Sequence, residues 1–422
     1  MTMVRCPACS DRVSAGDVFC EGCGRGLPEE VRARASAEAG RDGRSAGAEQ
    51  ETKVLSRDDM PTVPQESLAG ATPDDLREEP DAQVTLNIRR DEVVPGLERG
   101  RGPAPSDVGA GRPRTSAGGV PSTDDPGRCA WCPGRVVTGY CEKCALLQPS
   151  GRDHVETRAG VAHGVSDRGL RHRRNEDAMA IRAVADDSPH APGTIVAVVC
   201  DGVSSSPRSD EASRVTAEAG VAVLAEGARR GVDPREATGE AMTRAARAVS
   251  AIADSPSSAP ACTFVSAIVN PGTGTVTVGW VGDSRAYWLA DGPGSSPSTL
   301  LTRDDSWSEA MVQMGALSRE EAMRSGNAHA LIAWMGADSG EIDAHVSTVT
   351  PTGPGAVVLC SDGLWNYHPE ACELAEAVPR AGERPREAAR TYVELALRAG
   401  GKDNITVVVI PVSPGGARAA HA

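Results

Sequence analysis

Three aspartates each come directly after an apolar run that has the length and composition of a buried strand. The runs are 194–200, 276–282 and 356–361, and the aspartates are Asp201, Asp283 and Asp362. A strand that is apolar on both faces belongs in a core, where a carboxylate at its end is costly to desolvate unless its charge is compensated. Carboxylates gathered at one end of a sheet repel each other, and a hard divalent cation is the usual compensation. The sequence therefore predicts an oxygen-ligand metal centre, and hence an enzyme, assembled from distant segments.

Composition excludes several classes of function. The chain has 422 residues, enough for two or three domains, and a formal net charge of −14. This balance disfavours a broad nucleic-acid surface and gives no support for binding anionic membranes. The longest apolar run has about seven residues, against the roughly 20 that span a bilayer, and the first residues lack the apolar core of a signal peptide. We therefore expect a soluble, cytoplasmic protein with no membrane or nucleic-acid partner.

Eight of the twelve cysteines form four C-x2-C pairs. The pairs are Cys6 with Cys9, Cys20 with Cys23, Cys129 with Cys132, and Cys141 with Cys144. Two such pairs place four thiolates around one ion, so each quartet predicts a structural Zn²⁺ in a zinc-ribbon-like element. A four-thiolate site has no open position for catalysis, which leaves a zinc-stapled fold or a docking module as its role. Because basic residues near the quartets are few, protein contact is favoured over nucleic acid.

Composition also divides the chain into segments. The cysteine quartets occupy 1–27 and 128–147, and the stretch 28–127 between them has no aromatic residue and no cysteine. Such a stretch cannot bury enough apolar area to offset its chain entropy, so it is predicted to be a disordered linker. Strand and helix patterns fill 158–412, and 413–422 is a predicted disordered tail.

The patterns within 158–412 predict an α+β domain, because consecutive strands with helices in separate pairs disfavour a doubly wound parallel sheet. Ser306 and Ser318 are predicted helix N-caps, with Glu309 and Glu321 three residues on as capping boxes. The predicted strands are 159–166, 177–184, 194–200, 262–269, 275–281, 284–290, 343–349, 356–360 and 404–410. The predicted helices are 207–228, 233–253, 305–315, 318–325, 369–378 and 384–399.

A series of short motifs runs through the same region. In chain order they are Ser166-Asp167-Arg168-Gly169 with Asn175-Glu176-Asp177, Asp201-Gly202, Gly282-Asp283-Ser284-Arg285, Thr302-Arg303-Asp304-Asp305-Ser306, Ser361-Asp362-Gly363-Leu364 and Lys402-Asp403-Asn404-Ile405-Thr406. Any one motif alone is a weak signal, because Gly-Asp-Ser and Ser-Asp-Gly are common turn sequences and Asp403-Asn404 has a simple turn as its alternative. Together and in this order, they make 158–412 resemble the metal-dependent protein phosphatase (PPM) family, the type-2C serine/threonine phosphatases, in a bacterial form with N-terminal zinc-ribbon-like elements.

The resemblance implies a fold and a pair of metal ions. The fold would be a four-layer α-β-β-α sandwich of two antiparallel sheets flanked by helices. The ions would be Mn²⁺ or Mg²⁺, which suit a ligand set made only of oxygens. Asp201 would bridge the two ions, and Asp362 and Asp403 would complete the first; these three are the implied catalytic residues. Glu176 and the backbone carbonyl of Gly202 would hold the second ion.

The resemblance also implies supporting groups and a reaction. Asp283, with Asp362, would bind a weaker third ion, and Asp177 and Asn404 would support the ligands by hydrogen bonds. A water bridging the two cations would be acidified to a hydroxide that attacks phosphorus in line. Arg285 has the simpler alternative of pairing with a neighbouring carboxylate.

Several positions depart from the family's pattern. The family commonly has a phosphate-gripping arginine three residues before the Asn-Glu-Asp triplet, where this chain has His172. His172 and the neighbouring Arg171 are the predicted phosphate contacts, with a basic surface turn as the alternative. Val203 stands where some relatives have a histidine, so water would protonate the leaving group. Ala333 stands where relatives often carry arginine. Ser204, Ser205 and Ser206 either contact phosphate or shape a turn, of which the turn is favoured.

The predicted function is metal-dependent hydrolysis of phosphoserine and phosphothreonine in proteins, with the zinc ribbons for docking or regulation on a flexible tether. The expected partners are phosphoprotein substrates, with a serine/threonine kinase or its targets as candidates. The alternatives are a non-catalytic pseudophosphatase or a zinc-ribbon scaffold, and a nucleic-acid binder is disfavoured by the acidic balance.

Overall fold

The structure is a computed structural model that describes residues 4–7, 13, 27–39, 84–88, 134–137, 140–143, 153–185, 193–255, 258–270, 273–339 and 342–413. The chain forms two compact units, 89–148 and the remainder. The described strands are β1 (Val84–Ile88), β2 (Val136–Val137), β3 (Tyr140–Cys141), β4 (His154–Ala159), β5 (Ala162–Asp167), β6 (Ala178–Val184), β7 (Thr194–Cys200), β8 (Ala261–Cys262), β9 (Phe264–Asn270), β10 (Thr275–Val281), β11 (Arg285–Ala290), β12 (Thr299–Leu300), β13 (Met335–Gly336), β14 (Ile342–Val349), β15 (Gly355–Cys360) and β16 (Ile405–Val412). The described helices are α1 (Glu29–Ala39), α2 (Ser209–Arg230), α3 (Pro234–Ala251), α4 (Trp307–Gln313), α5 (Arg319–Met323), α6 (Asp362–Trp365), α7 (Ala371–Ala377) and α8 (Pro385–Ala399).

The first six-stranded sheet has the order β1-β14-β10-β9-β7-β6, and all its neighbours pair antiparallel. Helices α2 and α3 pack on one face of it. Strand β7 shows why both faces of this sheet are covered, because its side chains alternate between two buried faces. Val196 and Val198 point into the core shared with α2 and α3, whereas Ala197 and Val199 point into the core between the two sheets.

The second six-stranded sheet has the order β12-β11-β15-β16-β5-β4 and is also antiparallel. Its outer face is covered by α7 and α8. Between the sheets lie the largest buried aromatic side chains, Trp280 from the first sheet and Trp288 from the second. Each indole N–H finds a carbonyl, Arg303 O at 2.7 Å and Ser296 O at 3.0 Å, so the burial leaves no unpaired donor. Two antiparallel sheets flanked by helices confirm the α+β sandwich expected from the sequence.

Local predictions are confirmed in part. Ser318 and Glu321 form the complete capping box. Ser306 caps α4 by accepting from the Glu309 amide, but the box there is incomplete because the Glu309 carboxylate pairs with Arg319 instead. The single strand predicted at 159–166 is wrong: the structure has the hairpin β4–β5, which turns at Gly160 with φ of +57°. The mixed polar sequence of β4 hides its strand pattern.

Two elements of the structure lie within the stretch 28–127 that is predicted to be a disordered linker. Helix α1 lies inside it, where a run of alanine, glutamate and arginine favours helix regardless of mean composition. The second is β1, which pairs with β14 at the edge of the first sheet. Next to α1, the buried Cys6 packs with Val13, Leu27 and Ala35. In the separate unit 89–148, β2 pairs with β3, which contains Cys141; the other six cysteines of the predicted quartets lie outside the described residues.

Candidate metal centre

The ends of the central strands bring five carboxyl groups into one electrostatic cluster. Asp201 follows β7, Asp283 follows β10 by one residue, and Asp362 begins α6 just beyond β15. Burial raises the pKa of Asp201 well above its ordinary value, and the carboxylates of Asp177, Asp362, Asp403 and Asp283 raise it further. Strands β7 and β10 are both antiparallel to β9, so they run in the same direction and end at one edge, which agrees with the convergence predicted from the sequence.

Burial also raises the pKa values of Asp283, Asp362 and Asp403, three other members of the cluster. Burial and the Asp304 carboxylate raise the pKa of Asp283 to about 8. Burial also raises the pKa of Asp362 well above its ordinary value, with Asp403 adding to the shift. The pKa of Asp403 is raised by burial as well, although the nearby His172 opposes it. These acids repel one another strongly enough that compensating positive charge is needed to keep them all ionised at neutral pH.

Three carboxylate oxygens in the cluster are buried without a hydrogen-bond partner: Asp177 Oδ1, Asp283 Oδ1 and Asp362 Oδ1. A buried acceptor left unsatisfied costs free energy, and unpaired buried charge costs more. Oxygen donors of this kind are the ligands that Mg²⁺ and Mn²⁺ take. In the part of the chain that the structure describes, no three His, Cys, Asp or Glu side chains already have the spacing of a metal site. The cluster therefore fits a divalent cation in donor chemistry and charge.

Asn404 holds two segments of the cluster in register. Its Oδ1 accepts from the Glu176 amide at 2.7 Å, and its Nδ2 donates to the carbonyls of Arg168 at 2.7 Å and Arg174 at 3.1 Å. The Asp403 carboxylate accepts from the Asn404 amide at 2.7 Å. These are supporting hydrogen bonds of the kind that the resemblance implied for Asn404.

Asp177 occupies a comparable supporting position. Its Oδ2 accepts from the Ser361 hydroxyl at 2.7 Å, directly before Asp362. Burial raises the pKa of Asp177 to about 7, with the Asp403 charge adding to the shift and the Ser361 hydrogen bond opposing it. Asp177 thus links the segment that follows Glu176 to the segment that opens α6.

Glu176 has a hydrogen-bond shell of its own, and, besides burial, its charge also raises the pKa of Asp403. Its Oε1 accepts from both Nε and Nη2 of Arg174, at 2.8 and 2.7 Å, and from Ser209 Oγ at 2.6 Å. Its Oε2 accepts from Ser204 Oγ at 2.9 Å. Sequence reasoning missed the partnership of Glu176 with Arg174 and Ser209. Ser206 donates to the Val203 carbonyl at 2.8 Å, which is the turn-shaping role favoured for this serine run.

Gly202 lies where two backbone segments come together. A Cβ there would meet the carbonyl oxygens of Glu176 at 2.6 Å and Ser209 at 2.7 Å. Gly202 also forms an isolated bridge with Cys262. The close approach brings the Asp201-Gly202 turn against Glu176, its predicted companion at the second ion.

The two predicted phosphate contacts, His172 and Arg171, differ in their surroundings. His172 Nε2 lies 3.2 Å from Asp403 Oδ1, so the imidazole faces a predicted metal ligand. Arg171 is exposed. Arg174, the basic residue nearest the triplet in sequence, is committed to Glu176 and to Asp210 at 3.4 Å.

Arg285 makes the carboxylate pair that was its simpler alternative. Its Nε and Nη2 donate to the two oxygens of Asp304 at 2.9 and 2.7 Å, a bidentate pair. Its guanidinium lies 3.8 Å above the centre of the Trp365 ring. Trp365 Nε1 in turn donates to the Asp283 carbonyl at 2.9 Å. This support for the backbone at Asp283 depends on residues from three segments, which sequence reasoning did not connect.

Two further residues fix the loop that carries Asp283. The Gly282 amide donates to Asp305 Oδ2 at 2.9 Å, and His345 Nε2 lies 2.9 Å from Asp305 Oδ1. On the other side, Thr263 Oγ1 accepts from the Asp201 amide at 2.9 Å and lies 2.7 Å from Ser284 Oγ. Asp201 and Asp283 are thereby tied to one rigid framework.

The helices that the structure describes include none with the length and apolar composition needed to cross a bilayer.

Ala333, which stands where relatives often carry arginine, packs against the core beside α2 and α3. It therefore contributes apolar contact and no charge at that position.

Comparison with known proteins finds one family. The sequence profile described as Protein phosphatase 2C matches residues 168–387, just over half of the chain. The serine/threonine protein phosphatase PstP of Mycobacterium tuberculosis (strain H37Rv) is 32% identical over 253 residues, 58% of this chain and 45% of PstP. The serine/threonine phosphatase stp of Listeria innocua is 32% identical over 135 residues, 32% of this chain and 51% of that protein. The chain thus spans about half the length of the curated relatives it matches.

A solved structure is similar at the level of fold. The crystal structure of a bacterial serine phosphatase aligns with 61% of this chain and 99% of its own, at 20% identity and a TM-score of 0.50. At that identity the similarity concerns the arrangement of the two sheets and their helices.

Proposed function

The chain belongs to the protein phosphatase 2C family, and we propose that its domain over 158–412 hydrolyses phosphoserine and phosphothreonine in proteins. The family and the names of the relatives support this proposal. The observation that carries it is the buried carboxylate cluster with three unpartnered oxygens. A cluster of this kind has no structural use that justifies its cost, whereas a divalent cation would compensate it.

We propose that the cluster holds two Mn²⁺ or Mg²⁺ ions and, more weakly, a third. Asp201 would bridge the two, Asp362 and Asp403 would complete the first, and Glu176 with the Gly202 carbonyl would hold the second. Glu176 Oε1 is saturated by its three donors, whereas Oε2 accepts only from Ser204 Oγ, so a lone pair of Oε2 remains for an ion. Asp283 would serve the third ion together with Asp362.

The cations, when bound, would supply positive charge for the phosphoryl oxygens and lower the pKa of a reacting water. The residues of the chain keep the ligands in place. Asn404 and Asp177 fix the ligand-bearing backbone, and the Arg285–Trp365 contact fixes the backbone at Asp283. Arg171 and His172 would contact the substrate phosphate. His172, whose Nε2 lies 3.2 Å from Asp403 Oδ1, would turn from that carboxylate toward the phosphate.

The N-terminal cysteine quartets complete the proposal. We propose that they hold two structural Zn²⁺ ions and recruit a phosphoprotein, with a serine/threonine kinase or its targets as candidate partners, in the cytoplasm. The described Cys6 is a buried thiol beside apolar side chains, and Cys141 lies in the β2–β3 hairpin. A buried cysteine and a cysteine on a short hairpin are both compatible with small zinc-stapled elements.

The proposal is tested by hydrolysis of an aryl phosphate and of a phosphothreonine peptide, with and without Mn²⁺. The full-length chain should turn over both substrates only with Mn²⁺, and Asp201→Asn should lower kcat by about 100-fold or more, because charge stabilisation at the transition state is lost. The matched control is Asp254→Asn, which changes a largely exposed carboxylate and should leave the rate unchanged. Turnover without metal, or equal turnover in both variants, contradicts the proposal. No turnover by the unaltered chain supports the non-catalytic alternative instead.

A further inference from the structure

A cavity of about 240 Å³ lies at the turn between β4 and β5, against the first turn of α8. Arg158, His163, Arg384 and Arg386 line it, together with Glu387 and three apolar residues. His163 is the second residue of β5 and Asp167 its last. The four residue steps between those positions span about 13 Å of strand, and Asp167 pairs with Ile405, next to Asp403 and Asn404. The cavity therefore lies outside the carboxylate cluster.

Two arginines at this cavity carry charge that the protein does not fully compensate. Arg158 Nε donates to the Gly160 carbonyl at 3.2 Å, and no carboxylate of the described residues lies within 4 Å of it. Arg386 Nε is buried, has no hydrogen-bond partner and lies 3.8 Å from Glu156 Oε2. An incompletely paired guanidinium at a concave surface is the usual recognition group for an oxyanion.

Glu156 does not neutralise Arg386 because other groups already use its charge. Arg390 Nε donates to Glu156 Oε1 at 2.6 Å, and His154 and His163 lie 3.4 Å from its two oxygens. Burial opposes ionisation, yet these three hydrogen bonds hold the pKa of Glu156 below its ordinary value. Glu156 is therefore a fixed anion that orients His163 and Arg390 and leaves Arg386 only loosely held.

The start of α8 adds to the positive potential. Arg384 is its N-cap residue and makes no side-chain cap hydrogen bond, and Pro385 begins the helix. The first-turn amides of this 15-residue helix consequently have no side-chain acceptor at the cavity wall. The one carboxylate lining the cavity, Glu387, is paired with Arg384 at 2.9 Å. The N-terminus of α8 and the arginines therefore both favour an anion as the ligand.

Size and charge define that ligand. Pockets for drug-sized molecules have about 300–1,000 Å³, so a smaller cavity suits a compact anion better than a nucleotide or a cofactor. We propose that this cavity binds a phosphate monoester dianion or free phosphate between Arg158 and Arg386, as a second phosphate-recognition site of the molecule. Two guanidinium groups match the charge of a phosphate dianion, and their planar forks match its oxygens.

The test is calorimetric titration of the full-length chain after desalting to remove Mn²⁺ and Mg²⁺, when the carboxylate cluster repels anions. The titrants are inorganic phosphate, a peptide carrying a non-hydrolysable phosphonate analogue of phosphothreonine, and the same peptide with threonine. The unaltered chain should bind one equivalent of phosphate or of the phosphonate peptide, and the threonine peptide should not bind. Arg158→Gln with Arg386→Gln should weaken binding at least about tenfold.

The matched control is Arg182→Gln, which removes a half-exposed arginine of β6 that faces Glu218 of α2. This variant should bind as the unaltered chain does. If the double variant unfolds at the temperature of the titration, Arg158→Gln alone replaces it, because Arg158 is exposed and its substitution should not affect folding. Tighter binding of the phosphonate peptide assigns the site to a phosphorylated protein, and binding of inorganic phosphate alone assigns it to the free ion. No binding by the metal-free chain, or equal binding by the double variant, overturns the proposal whether or not the chain proves to be a phosphatase.

Discussion

At the scale of single residues, the site is governed by the cost of burying several acids together. Asp201, Asp362 and Asp403 are each placed by a different strand or helix, and each has a raised pKa whose first cause is burial. The Asn404 amide donates to Asp403 Oδ1, and Asn366 Nδ2 donates to Asp362 Oδ2, so part of their carboxylate oxygens are satisfied but not all. We assign the carboxylate oxygens that have no hydrogen-bond partner to the binding of cations.

This account predicts that the metal-free protein loses stability as pH rises from about 5 to about 8. Asp177 and Asp283, with pKa values raised to about 7 and about 8, bind protons in the folded state at pH values where the unfolded carboxyls, near about 3.9, are already ionised. The folded state therefore binds more protons throughout that window, and the free energy of unfolding falls as pH rises. The measurement is the urea midpoint of the metal-free chain at pH 6 and pH 8.

Asp283→Asn isolates the effect from other titrating groups. Its urea midpoint should fall less between pH 6 and pH 8 than that of the unaltered chain. The urea midpoint of Asp254→Asn should fall as much as that of the unaltered chain. Saturating Mn²⁺ should also reduce the fall, because bound cations favour the ionised carboxylates. Stability that is flat or increasing from pH 6 to pH 8 in the metal-free chain would count against the repelling cluster.

At the scale of elements, the position of the site depends on how α3 packs on the first sheet. Gly279 in β10 makes this possible, because a Cβ there would meet Thr238 Cγ2 at 2.3 Å and Met242 Sδ at 3.3 Å. Thr238 and Met242 are buried residues of α3. Because β10 leads directly to Asp283, displacing it would affect the metal centre as well as the core.

We predict that Gly279→Ala destabilises the fold by about 1–3 kcal/mol through overpacking. Thr238→Ser removes the clashing methyl group and keeps the hydroxyl that donates to the Pro234 carbonyl. The double variant Gly279→Ala with Thr238→Ser should therefore recover part of the loss in urea unfolding, giving a favourable coupling energy. Gly292→Ala, with nothing within 4 Å of the added Cβ, is the control. Additive losses in the double variant would show that the contact is not the cause.

The elements also show how far sequence reasoning reaches. Apolar runs located β7, β10 and β15 to within a residue, because a strand buried on both faces leaves an unambiguous pattern. The same reasoning failed at β4, whose sequence is mixed, and at α1, whose helical propensity was hidden by the surrounding composition. A carboxylate partner for Arg285 could be expected from the sequence, but its identity as Asp304 could not, since the two residues lie 19 positions apart and only the folded sheets bring them together.

At the scale of the whole molecule, the chain combines a sandwich domain with N-terminal segments of different character. Strand β1 comes from the region of low aromatic content and covers the outer strand β14 of the first sheet. A sheet edge with unpaired amides and carbonyls is a site for unwanted association, so this pairing protects one edge. The separate unit 89–148 contains the β2–β3 hairpin with Cys141.

At this scale we predict about two zinc ions per chain, one for each cysteine quartet. Elemental analysis of protein purified without chelator checks this. Cys9→Ser and Cys132→Ser should each lower the content by about one ion, whereas Cys372→Ser, at an exposed cysteine outside the quartets, should not. Turnover of an aryl phosphate should be unchanged in all three variants. Absence of zinc, or a content that is independent of the quartet cysteines, would reject the ribbons.

The central claim is that buried carboxylates at the strand ends hold divalent cations, and direct titration of Mn²⁺ into the metal-free full-length chain tests it. The account predicts saturable binding of about two ions, with Asp254→Asn binding like the unaltered chain. Asp201→Asn should weaken binding by more than the about 10–100-fold that loss of a supporting hydrogen bond causes, because it removes the proposed bridge. No saturable binding, or equal affinity in Asp201→Asn, would contradict the account.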